Sequence, residues 1–226
     1  MRRSGLCRTV LVLVLLACGA PALFAQGFFG GLVWSFRGSM LVIPEDNGLE
    51  GDPMPILGSL GLSAAHPLGE RLFFETSLDF YMTHYGFPDN AGRPYPYAEE
   101  NRSTRVIGSV LGFQALYRQE LGSSTWLRAY GGLAADLRLC LIAGGLEGAD
   151  RDAASKETSR TASYFWSEGR WLFPVIGTGM DFAASQKFLL GFDLRVWFPL
   201  YRLWSGESLP AVEGWRFAAG LRFTLR

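Results

Sequence analysis

Apolar and polar residues alternate along long stretches of this chain, most clearly at its end. From Trp215 onward Phe217, Ala219, Leu221, Phe223 and Leu225 take every second place, and Arg216, Ala218, Gly220, Arg222, Thr224 and Arg226 take the others. Period-two alternation puts one set on each face of a β-strand. The same template predicts strands near 30 to 42, 55 to 65, 71 to 82, 104 to 117, 125 to 140, 169 to 182, 188 to 199 and 214 to 225, eight in all. In the first, Trp34, Phe36, Met40 and Val42 oppose Ser35, Arg37 and Ser39. In the third, Leu72, Phe74, Leu78, Phe80 and Met82 oppose Glu75, Ser77, Asp79 and Tyr81. The fifth sets Leu127, Leu133, Leu137 and Leu139 against Arg128, Tyr130, Asp136 and Arg138, and the seventh sets Leu190, Phe192, Leu194, Val196 and Phe198 against Asp193 and Arg195. The fourth and sixth are less marked, because Val106 to Leu116 is apolar on both faces and Pro174 removes a ladder donor unless it sits at a bulge.

The connections alternate too. Those at Pro67 to Glu70, Arg118 to Ser124 and Ala183 to Lys187 are short, and those at 43 to 54, 83 to 103, 141 to 168 and 200 to 213 are long. A closed up-and-down sheet with tight turns at one end and large loops at the other has this rhythm. The expected fold is therefore all-β, an eight-stranded antiparallel up-and-down transmembrane β-barrel. Its bulky apolar face meets lipid and its polar face turns inward.

The first 25 residues support an exported protein. Arg2, Arg3 and Arg8 precede an apolar run from Val10 to Ala17 and then small residues, the pattern of a signal peptide. Cleavage is expected after Ala22 or Ala25, with polar Gln26 favouring the second. Lipid attachment at Cys18, in Leu15-Leu16-Ala17-Cys18, is the alternative. The organisation expected is a signal peptide over 1 to 25 and a barrel domain over 26 to 226. Cys140 is the only cysteine beyond the leader, so no internal disulfide is expected. No later stretch reaches the roughly 18 apolar residues of a helical span.

A formal net charge of zero argues against nucleic acid as a partner. Apart from Lys156 and Lys187, every basic residue is arginine, whose rigid fork suits buried ion pairs. The charge cluster expected in the lumen is Arg37, Glu75, Asp79, Arg128, Asp136, Arg138, Asp193, Arg195, Arg216 and Arg222. An eight-stranded barrel is barely wide enough for its own side chains, so these groups are expected to pair into a plug; a charge-selective filter is the alternative.

Aromatic residues near strand ends are expected to form two interface belts, Phe73, Tyr117, Trp126 and Phe188 at one boundary and Tyr81, Tyr85, Trp171, Tyr201 and Trp215 at the other. In the second long connection Tyr85, Phe87, Tyr95 and Tyr97 stand among Pro88, Pro94 and Pro96, a stiff loop expected to present aromatics as a binding surface. The third carries Glu147, Asp150, Arg151, Asp152, Lys156, Glu157 and Arg160, expected as a hydrated loop of mixed charge. No catalytic residue is expected: His66 falls at a short turn, His84 is expected as a solvated rim histidine, and neither has the partners of a hydrolytic triad. Two separated histidines and one cysteine match no metal site, and no cofactor is expected.

On its alternating strands, its leader and the closing Trp215 to Leu225 segment, the chain resembles the small outer-membrane β-barrels of diderm bacteria, the grouping of outer membrane proteins A, X and W. The likeness runs from about Phe28 to Arg226. It implies residence in the bacterial outer membrane, contact with outer-membrane lipid, and delivery by the barrel assembly machinery through the C-terminal strand. Here that strand ends on Arg226, where the family's signal ends on an aromatic. The W-type branch implies passive permeation or uptake of a small apolar solute, passed from outside into the outer leaflet through a lateral opening; the X- and A-type branches imply a structural or adhesive role with an extracellular ligand. A secreted lipocalin-like carrier, with the apolar face inward, is the soluble alternative.

Overall fold

The computed structural model describes residues 31 to 44, 56 to 88, 92 to 97, 103 to 205 and 214 to 225. The expected signal peptide and its processing sites lie outside them. From Val33 onward the chain forms one unit. Its strands are β1 (Val33–Val42), β2 (Ile56–Pro67), β3 (Leu72–Gly86), β4 (Tyr95–Tyr97), β5 (Thr104–Gly122), β6 (Thr125–Ile142), β7 (Leu172–Ala183), β8 (Phe188–Trp197) and β9 (Arg216–Leu225), and its helices are α1 (Gly148–Trp166) and α2 (Arg202–Ser205).

Eight of these strands close a barrel. Each is antiparallel to its neighbours in the order β2, β1, β9, β8, β7, β6, β5, β3, and β3 returns to β2. The short β4 pairs with the last turn of β3 from His84 to Gly86, beyond the point where recorded pairing with β2 stops at Ser59 opposite Tyr81. Closure pairs every internal strand edge, the condition for crossing hydrocarbon with strands.

The alternation resolves into an apolar outside and a polar inside. Phe36, Met40, Ile56, Leu60, Phe80, Phe113, Leu133, Ile176, Leu194, Leu221 and Phe223 are exposed on the outer wall. Ser35, Arg37, Glu75, Asp79, Arg128, Asp193 and Arg195 are buried within. A lipocalin-like carrier needs the opposite arrangement, so that alternative is overturned. A circumferential surface of this kind is matched by lipid rather than by water.

Two strands the sequence leaves ambiguous are explained by their neighbours. On β5, Gly108 lies beneath Tyr81, and a Cβ there would come within 2.1 Å of the ring; on β7, Gly177 is covered in the same way by Tyr130, at 2.3 Å. Each pair is directly opposite in register. Pro174 needs no bulge: its carbonyl accepts from Phe198 N–H at 3.0 Å just beyond the end of β8, so its missing donor falls at the last rung.

The barrel rim is uneven. β7 begins at Leu172 opposite Ala135, so the upper part of β6 rises above it together with β3 and β5. α1 packs against this raised wall. The expected hydrated loop is thus in large part a helix of 19 residues. Ala154, Thr158, Thr161 and Phe165 recur at helical spacing and are buried. Three of the four are small or polar, which is why their stripe does not register as an apolar helix face. The Thr158 and Thr104 hydroxyls hydrogen-bond at 2.9 Å, and Phe87 N–H donates to the Glu157 carboxylate. Phe165 meets Tyr85 edge to face at 4.9 Å in a cluster with Val106, against which Cys140 packs.

Candidate functional site

Alternation sends charged side chains from six of the eight barrel strands into one narrow lumen. Nearest the short turns, the Arg222 guanidinium donates to Glu75 at 2.5 Å, and Glu75 also faces Arg37 at 3.6 Å. Arg37 and Arg222 are directly opposite on β1 and β9, a like-charge pairing that Glu75 bridges. Beside them Arg128 meets Asp181 at 2.9 Å. At mid-height Asp79 accepts from Arg37 and Arg195, each at 2.8 Å. Arg195 also lies 3.1 Å from Asp193, which accepts the Tyr130 hydroxyl at 3.0 Å, and donates to Ser39 Oγ at 2.7 Å. Toward the long loops Asp136 accepts from Arg138 and Arg216 at 2.5 Å each and from the Tyr81 hydroxyl at 3.0 Å.

All ten residues expected in the lumen cluster are buried there and joined by these contacts. Asp181 belongs with them but is not evident from the sequence, because Pro174 obscures the period of its strand. Carrying the alternation from Phe173 through Val175, Gly177 and Gly179 would have placed it on the same face. With it, six guanidinium groups meet five carboxylates in the cluster. Buried charge is tolerable only when paired and hydrogen-bonded, and here each carboxylate has at least one arginine within reach. The arrangement fills and cross-links the lumen.

Other expected sites move. Tyr85, Phe87 and Tyr97 are buried, at 1, 9 and 5 % exposure, and Tyr95 is partly buried, so these residues serve as packing around β4 and α1 and not as an exposed aromatic surface. The reason is α1, which covers them: Tyr85 meets Phe165, and Phe87 meets Tyr164. His84 is buried and accepts a hydrogen bond from Arg105 Nε at 3.3 Å, in place of the expected solvated rim position. The belts are also smaller than expected. Tyr117 and Phe188 face outward, but Phe73 packs against the inner cluster of Ala65, Leu116 and Tyr130, Trp126 underlies Arg118, and Tyr81, Tyr85 and Tyr201 are buried. Among the described residues no group of three or more His, Cys, Asp and Glu side chains is placed to hold a metal.

Above the Asp136 tier a pocket opens toward the long loops, with Arg93, Arg138, Arg170, Arg202 and Arg216 on its walls. Arg170 follows α1 after a reversal in which Glu168 and Gly169 have φ of 52° and 73°, and it donates to the Glu168 carboxylate at 2.6 Å.

The class these features define is the small eight-stranded β-barrel of the outer-membrane type. Among solved structures, the chain is similar to Neisserial surface protein A, at 12 % identity and a TM-score of 0.51 over 86 % of this chain and 96 % of that one. It is similar also to the outer membrane protein OprG from Pseudomonas aeruginosa, at 11 % identity and a TM-score of 0.50 over 86 % of this chain and 95 % of that one. At these identities the likeness concerns the fold. No known family's profile matches the sequence, and no curated protein matches it.

Proposed function

We propose that this protein is a non-catalytic resident of the bacterial outer membrane that acts through its long-loop surface, with the barrel as anchor. The observation that carries the reading is Asp79, held at 2.8 Å by both Arg37 on β1 and Arg195 on β8. Around that carboxylate Arg37, Asp79, Asp193 and Arg195 are all buried, at 4 % exposure or less, which supports a lumen closed to water at mid-height, and a charged interior is a poor route for an apolar solute. Permeation through the lumen is therefore the weaker of the two expected roles, and surface interaction or a structural role the stronger. The apolar outer wall supports contact with outer-membrane lipid. The alternating β9 supports delivery by the barrel assembly machinery.

Planar bilayers test the closed lumen. The refolded wild-type protein is expected to give no current steps. Asp79→Ala removes the shared carboxylate, leaves two buried guanidinium groups facing each other, and is expected to cost about 3 to 5 kcal/mol in urea unfolding while admitting current. Steady wild-type conductance at the level of an open pore would sink the closed-lumen reading.

A further inference from the structure

The pocket at the long-loop end is made from parts far apart in the sequence. Arg138 from β6 and Arg216 from β9 form one side of it, both on Asp136. Arg170 after α1, Arg202 of α2 and Arg93 ahead of β4 complete it. Among the described residues lining the pocket there is no carboxylate; Asp136, which holds Arg138 and Arg216, and Glu168, which holds Arg170 at 2.6 Å, are not among the lining residues.

Aromatic rings hold these cations in place. The Arg138 guanidinium lies 3.9 Å from the Phe165 ring centre, Arg216 lies 4.3 Å from that of Phe173, and Arg170 lies between Tyr164 at 4.1 Å and Tyr201 at 5.5 Å. A ring stacked on a guanidinium occupies its face and leaves hydrogen bonding to its edges. Each guanidinium carries five N–H donors, and a carboxylate partner engages two of them. An arginine that already holds one partner can therefore still donate to a second oxyanion.

We infer that this pocket binds a tetrahedral oxyanion, a phosphate or sulfate group, either free or at the end of a larger ligand. Arginines placed around the pocket from five backbone positions suit oxygens arranged in three dimensions, whereas a flat carboxylate is satisfied by one fork. The pocket is small, with about 20 Å³ open to the centres of water-sized molecules. A space of that size suits a compact group and excludes a bulky ring. The inference deepens the surface reading and rests on it for placing this end outside the cell.

Calorimetry on the refolded barrel in detergent, with sodium phosphate and sodium sulfate titrated against sodium chloride of equal ionic strength, tests it. Saturable heat is expected for the two tetrahedral anions and not for chloride. The double variant Arg170→Gln/Arg202→Gln is expected to weaken binding at least tenfold, and Arg105→Gln, outside the pocket, to leave it unchanged. Heat-modifiable gel mobility verifies that each variant is folded; should the double variant not refold, the rim variant Arg93→Gln is measured in its place and is expected to weaken binding about threefold. Absence of saturable binding by folded wild type, or undiminished affinity in the folded pocket variant, overturns the inference. Nanodiscs separate the sources: a phosphorylated glycolipid in the disc blocks free phosphate if the lipid headgroup is the occupant, and leaves its binding intact if the ligand is free. Bilayer current is a separate readout, so a conducting wild type would refute the closed lumen without touching this result.

Discussion

At the residue scale, this barrel depends on small residues opposite large polar ones. Tyr81 reaches Asp136 because Gly108, its partner in register, leaves the ring room to lie across the sheet. Gly108→Leu is expected to push Tyr81 off Asp136 and to cost about 1 to 3 kcal/mol by overpacking, seen as a lower urea midpoint. Gly38, which has open space around it, should tolerate alanine in the same assay. The lumen residues were legible because charge kept to one parity on the clearly alternating strands. Asp181 was not, since one proline interrupted the pattern ahead of it. Closeness to strand ends suggests belt positions for Tyr81, Phe73 and Trp126, whereas their parity places them on the charged, inward face.

At the scale of elements, the strands followed from alternation, and their ends shifted where neighbours continued the ladder. β5 runs on to Gly122 because β6 begins at once, at Thr125, with a register shift near Glu120. α1 could not be found in this way. Its buried stripe of Ala154, Thr158 and Thr161 has little apolar surface, and what fixes it is tertiary: the Thr104 hydroxyl, Tyr85 and Arg138 on the raised wall. Phe165 is the one large anchor. Phe165→Ala is expected to remove about 3 to 5 kcal/mol of helix docking. Limited trypsin digestion should then cut within 148 to 166 several-fold faster, while heat-modifiable mobility shows the barrel intact; equal cleavage rates would mean that the helix is held by something else.

For the molecule as a whole, the two faces obey opposite rules. Leu60 is 73 % exposed on the outer wall, while its neighbour Gly61 faces inward against Asp79. An arginine is at home in the lumen, where Arg37 finds carboxylates, but Leu60→Arg is expected to cost about 2 to 4 kcal/mol in phospholipid vesicles if the site lies near the bilayer midplane. Urea titration monitored by tryptophan fluorescence measures it, and a negligible cost would place Leu60 near the headgroups. The sequence made this inside-out arrangement readable through the size of its apolar face, but it could not show which long loop folds over the mouth. Cys140 turns that fold into something measurable. It is the one cysteine among the described residues, it is half-covered, and it packs beside Phe165. The chain thus carries a built-in reporter: the rate at which a thiol-reactive dye attaches follows how often the helix lifts from the rim, with no engineered label needed.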